Sequence, residues 1–181
     1  MTGVRPPALF PRTQGTHVRL RPATPADGPD CYRLIRRLGG RPVPDEERFL
    51  AVVNRRFDGF FAVTGKDDDA IVGYTALADS DPALHVRLAC WMEPGDARAG
   101  CEAASLTISY AFAMRPLLKV YIHVTDGGPD YLAAVPVGVA QLEAALSDYE
   151  LFDGEVRELR IFAIYRDDWL RQAGPLAERL V

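Results

Sequence analysis

Along the chain, short alternating or continuous apolar runs are interrupted by longer stretches in which apolar residues recur at helical spacing. Residues 17–21 (His-Val-Arg-Leu-Arg) alternate and predict a first strand. Thr24 then suits an N-cap and Pro25 a first helical position, so a helix is predicted to about Leu38, where Gly39-Gly40 ends it. A second helix is predicted over 45–57, with Phe49, Val52, Val53 and Phe57 on one face and Asp58-Gly59 as its break. Apolar runs at 60–63 and 70–77 flank the polar link Gly65-Lys-Asp-Asp-Asp69 and predict a hairpin. A further strand, 85–92, stops at Glu93-Pro94-Gly95. Helical spacing returns over 100–114 through Ala103, Leu106 and Tyr110, and 117–124 reads as a strand.

Residues 126–129 predict a turn and 130–135 a short helix. Two long strands follow, 142–152 and 156–165, joined by the hairpin dipeptide Asp153-Gly154. The remainder has helical spacing interrupted by Gly174-Pro175. This order, β-α-α-β-β-β-α-β-(α)-β-β, predicts an α/β (α+β) protein: a mixed sheet with helices on its faces. One domain over 17–172 is expected, with a loose Pro/Gly-rich arm at 1–16 and a tail at 173–181.

Composition narrows the class. The 181 residues are 48% hydrophobic and 25% charged, with a formal charge of −4. That excludes a disordered or fibrous chain and gives no bulk charge for holding nucleic acid. Three scattered cysteines, Cys31, Cys90 and Cys101, make neither a disulfide framework nor a CxxC pair. The histidines, His17, His85 and His123, are too dispersed for a local metal motif, so no metal is expected. Without an apolar leader or membrane-length run, a cytoplasmic location off the membrane is expected. The basic residues are skewed: only Lys66 and Lys119 are lysines, leaving 19 arginines among 21.

Several segments together resemble the GNAT superfamily of N-acyltransferases, in its RimJ/RimL-like branch. They are Val18-Arg-Leu-Arg-Pro-Ala-Thr-Pro-Ala-Asp27, Ile71-Val-Gly-Tyr74, Trp91-Met-Glu-Pro94, Glu102-Ala103 with Ser109-Tyr-Ala-Phe112, Leu118-Lys-Val120, and Phe152-Asp-Gly154 with Asp168-Trp169. The resemblance spans most of 17–170. It implies a mostly antiparallel central sheet of about seven strands, helices on both faces, and splayed fourth and fifth strands. It implies transfer of an acetyl or acyl group from acetyl-CoA or another acyl-CoA to a primary amine of a small molecule or peptide, by direct attack. A homodimer is an option in this family. Two alternatives stay open: a donor such as acyl-tRNA or an acyl carrier, the only reading in which tRNA is a partner, and a catalytically silent binding or sensor domain.

The same resemblance distributes roles. Donor binding falls on Trp91 and Met92 for pantetheine, and on Arg98, Ala99, Gly100 and Cys101 for pyrophosphate at a helix start. The phosphate loop, Pro94-Gly-Asp-Ala-Arg-Ala-Gly-Cys101, is about two residues short of the family pattern and keeps one motif glycine, Gly100. Arg98 could contact phosphate there or fill the space. Arg87 stands where a strand-four glutamate is common, and arginine cannot serve as a base. His85 is then the first candidate base, Glu93 the second, and Tyr131 the candidate acid for the leaving thiolate. Arg33, Arg37, Arg87 and His123 are the acceptor candidates, and a basic mouth would suit an acidic acceptor.

Overall fold

The computed structural model describes residues 13–38, 43–81, 84–125, 138–152 and 154–179. Seven strands form one sheet: β1 (Val18–Pro22), β2 (Phe57–Gly65), β3 (Ile71–Asp81), β4 (His85–Met92), β5 (Lys119–Thr125), β6 (Ala140–Phe152) and β7 (Glu155–Tyr165). Their order is β1-β2-β3-β4-β5-β7-β6. All neighbours are antiparallel except β4 and β5, which run parallel. The helices are α1 (Gly28–Leu38), α2 (Glu46–Arg56), α3 (Ala97–Met114) and α4 (Arg166–Arg179). The mixed, mostly antiparallel seven-stranded sheet expected from the sequence is therefore present.

Alternation along the strands assigns the two faces. Val86, Leu88 and Cys90 of β4 and Val120 and Ile122 of β5 are buried with Ile108 and Phe112 of α3 and Trp169 of α4. Val18, Leu20 and Val63 meet Ala99, Ala103 and Leu106 of α3 on the same side. On the opposite face, Cys31, Tyr32 and Leu34 of α1 and Phe49 and Val53 of α2 cover Ala62 and Tyr74. Buried side chains of this size each contribute about 1.5–3 kcal/mol relative to exposure.

Element boundaries differ from the sequence reading in four places. Pro25–Asp27 forms a 3-10 turn and α1 follows it. Phe57 opens β2 instead of closing α2, because its ring joins those of Phe60 and Trp91 over the sheet. α3 starts at Ala97, ahead of Gly100, because Asp96 caps it. α4 runs on through Gly174-Pro175, where the sequence reading places an interruption. Two expected hairpins are present: β2 with β3, and β6 with β7, where Phe152 pairs with Glu155 and Gly154 takes φ +79.

One polar contact ties α3 to the sheet. The hydroxyls of Thr107 and Thr75, both fully buried, share a 2.8 Å hydrogen bond, and the Thr107 hydroxyl also lies 2.8 Å from the Ala103 carbonyl. Thr107→Val should leave the Thr75 hydroxyl without its partner and cost about 1–2 kcal/mol in urea denaturation, with Thr75→Val/Thr107→Val recovering part of that loss. Equal stability of single and double variants would count against this pairing.

Candidate functional site

The two parallel strands at the centre of the sheet part company. β4 and β5 pair from His85↔Lys119 to Leu88↔Ile122 and no further, although β4 continues to Met92 and β5 to Thr125. Beyond that point, among the described residues, no strand pairs with the β5 side of β4 at 89–92. This is the splay expected from the sequence.

Beside the fork, on the α1/α2 side, lies a cleft of about 450 Å³ lined by Asp79, His85, Arg87, Tyr121, His123 and Glu143, among others. Alternation places these side chains there. Val86, Leu88, Val120 and Ile122 turn into the α3 core, so His85, Arg87, Tyr121 and His123 turn the other way. The His85 ring meets Tyr121 edge-on, with centroids 5.2 Å apart.

The charges in this cleft are paired. Arg87 donates to Asp79 at 2.6 Å. Asp79 sits at a bulge in β3 with φ +56, a conformation that aspartate tolerates better than most residues. Glu143, at a bulge in β6, accepts from Lys119 Nζ at 2.9 and 3.0 Å, from Tyr121 at 2.9 Å, and from Tyr165. Tyr165 and then Lys119 and Tyr121 hold the Glu143 carboxyl below its ordinary value, against the effect of burial. Burial opposes the Lys119 charge, but hydrogen bonds to Tyr121 and Glu143 outweigh it and raise the ammonium above its ordinary value. The charges around the cleft are thus nearly balanced.

A second cavity, about 250 Å³, lies between α1 and the ends of β3 and β4. Arg33, Arg37 and Glu93 line it with Asp30, Gly73 and Tyr74. Arg33 pairs with Asp30, and Arg37 with Glu93. The sequence-derived candidates therefore fall into two groups. His85, Arg87 and His123 share the larger cleft, while Glu93, Arg33 and Arg37 share the smaller one. Tyr131 lies outside the described residues. Trp91 is half-buried against Phe57 in the α1/α2 cluster, and Met92 packs against the α3 clusters.

The start of α3 contains residues that sequence reasoning missed. The Asp96 carboxylate accepts from Arg98 N and Ala99 N, both at 3.0 Å, and Gly100 N donates to the Asp96 carbonyl at 3.3 Å. Arg98 is exposed, Ala99 and Gly100 are buried, and Cys101 is half-buried. Glu102 is only 3% exposed and accepts from the backbone N–H groups of His17 and Val18, with His17 Nδ1 2.9 Å away. Gly15 makes room for this: a Cβ there would lie 1.5 Å from Glu102 Oε1. Asp79, Tyr121 and Glu143 were also missed. The available signal was an aspartate before a helix; the strand bulges leave none. Burial pushes the Cys90 thiol up to about 12, so it is protonated at neutral pH and unsuited to nucleophilic attack. Among the described residues, no group of three or more His, Cys, Asp or Glu is placed to hold a metal ion, and no helix is long and apolar enough to cross a membrane.

Solved structures share this arrangement. Mutant forms of the spermidine/spermine N-acetyltransferase SpeG from Vibrio cholerae superpose with a TM-score of 0.74 at 14% identity, covering 86% of this chain and 98% of theirs. The chain has the GNAT fold. A chimera of SpeG from Vibrio cholerae and hSSAT gives a TM-score of 0.72 at 16% identity, over 86% of this chain and 99% of the chimera. SpeG from Vibrio cholerae in complex with manganese ions gives 0.71 at 14%, over 87% and 97%. No family model matches the chain, and no curated protein matches it either. At these identities the likeness establishes the GNAT scaffold, and chemistry must be argued from the residues on it.

Proposed function

We propose that the protein is an N-acyltransferase that moves an acyl group from an acyl-CoA to a primary amine. The observation that carries this reading is the parting of β4 and β5 after Leu88↔Ile122, beside a cleft of about 450 Å³ whose charged residues are paired. The β4 backbone at 89–92 has no β5 partner, so it can hydrogen-bond the amide-rich pantetheine arm of a donor. The donor supplies an activated thioester carbonyl. The amine attacks it from the cleft; a C–N bond forms, the C–S bond breaks, and the thiolate leaves and takes up a proton.

Attack needs a neutral amine. A strongly acidic cleft would hold the ammonium form; two ion pairs that cancel avoid that penalty. The proton acceptor should lie close to the fork. His123 is the first β5 residue past the last paired position, whereas His85 lies three residues before Leu88, about 10 Å along the strand. We therefore assign His123 the role of base, and His85 that of a wall against Tyr121. The paired Arg33, Arg37 and Arg87 do not add net positive charge at either cavity, which favours small neutral or singly charged amines over strongly acidic ones.

The test is amine-dependent release of free thiol from acetyl-CoA, run with spermidine (the amine in the SpeG structures' names), a free amino acid and a short peptide. Turnover with at least one is the expected result. Thioester binding in calorimetry without turnover on any amine would make the domain a binding module. Absence of binding at millimolar thioester would overturn the reading.

A further inference from the structure

We infer that Asp96 is a donor-selectivity residue: it occupies the α3 anion position, so the protein recognises the acyl-pantetheine portion of its donor with little help from the pyrophosphate. This rests on the acyltransferase reading above and names the donor class of the same site. The first N–H groups of a helix have no intrahelical partner and, with the helix dipole, favour an anion. In this chain a carboxylate of its own is already there, accepting from Arg98 N and Ala99 N at 3.0 Å each. A second carboxylate, Glu102, is buried one turn further along and is committed to His17 and Val18. Glu102 is thus turned to β1, and the carboxylate at the exposed start of α3 is that of Asp96.

A pyrophosphate arriving at α3 must displace the Asp96 carboxylate from two hydrogen bonds. It must then sit beside that charge within a Debye length, where like charges repel. Among the described residues the β4 edge at 89–92 has no strand partner on its β5 side, and its amide groups can meet the pantetheine arm whatever is attached beyond it. The donors that fit are thus acyl-pantetheine thioesters as a class, whether the pantetheine belongs to CoA or stands without the nucleotide.

The experiment is calorimetric titration of the full chain with acetyl-CoA and with S-acetylpantetheine, for the wild type and Asp96→Ser. Serine is also a good N-cap, so the substitution removes the charge while keeping a capping oxygen; Asp96→Asn serves as a second neutral cap if the serine variant melts early. In the wild type the two thioesters should bind within about tenfold of each other, and Asp96→Ser should tighten acetyl-CoA by about tenfold while leaving S-acetylpantetheine unchanged. A wild-type preference for acetyl-CoA of roughly a hundredfold or more, or no gain in either neutral variant, would overturn the role of Asp96 and leave the acyltransferase reading standing. Failure of both thioesters to bind would overturn the acyltransferase reading itself and this inference with it.

Discussion

Replacing His123 with alanine is expected to lower kcat/KM for amine acylation by about 10²–10⁴-fold, the range for losing a positioned general base. His85→Ala should cost less than about tenfold, because a displaced wall perturbs positioning without removing the proton acceptor. The distinction rests on register. Pairing between β4 and β5 ends at Leu88↔Ile122, so the two strands part level with residue 123 and well past residue 85. Both imidazoles line one cleft, so sequence pattern alone cannot rank them. The decisive readout is the pH dependence of kcat/KM with saturating donor. His123→Ala should lose the limb that reports imidazole ionisation, while His85→Ala keeps it. The reverse pattern would make His85 the base. Glu93→Ala should leave the profile intact, since Glu93 lies in the other cavity and is paired with Arg37.

That ranking marks the boundary of what the chain discloses as a string of letters. The scaffold was legible because its signals are local. The alternation of Val86, Leu88 and Cys90 gives β4 its two faces, and the Asp-Gly dipeptide at 153–154 signals in the sequence the hairpin that joins β6 to β7. The site was less legible because its contacts join distant residues. Arg37 and Glu93 are 56 residues apart, and nothing in the run Arg33-Leu-Ile-Arg36-Arg37 indicates that two of its cations meet acids. Arg36 takes a different course and lies over the Tyr32 ring. The arginine skew therefore suggested a basic mouth that pairing largely cancels. Glu143 was invisible for another reason. Bulges shift its strand out of simple alternation, so only the three-dimensional register brings it to Lys119, Tyr121 and Tyr165. Asp96 was overlooked because placing the helix start at Gly100 left its capping role unread.

A stability prediction of comparable size concerns Asp27, where β1, the 3-10 turn and α1 meet. Its carboxylate is 6% exposed and accepts from Arg21 at 2.9 and 2.6 Å and from the Thr24 backbone and hydroxyl at 2.7 and 2.8 Å. The Tyr74 hydroxyl donates to the Asp27 carbonyl at 3.3 Å, tying this corner to β3 and to the smaller cavity. Asp27→Ala should cost about 2–4 kcal/mol, since it strips a charged hydrogen-bond centre from a buried position and leaves Arg21 without its partner. The pH dependence carries a definite sign. Hydrogen bonding to Arg21 holds the Asp27 carboxyl well below the usual carboxylate range, with the Thr24 contacts adding to it, against the opposing effect of burial. A depressed folded-state pKa contributes stability that is fully present above the unfolded value of about 3.9 and is lost as pH falls below it. Urea midpoints for wild type and Asp27→Asn should therefore converge between neutral pH and about pH 3, because only the wild type has this contribution to lose. Other carboxyls held low, Asp58 and Glu143, titrate in both proteins and cancel in the comparison. A gap between the two proteins that stays constant across that range would mean that the Arg21–Asp27 charge pair adds nothing beyond its neutral hydrogen bonds.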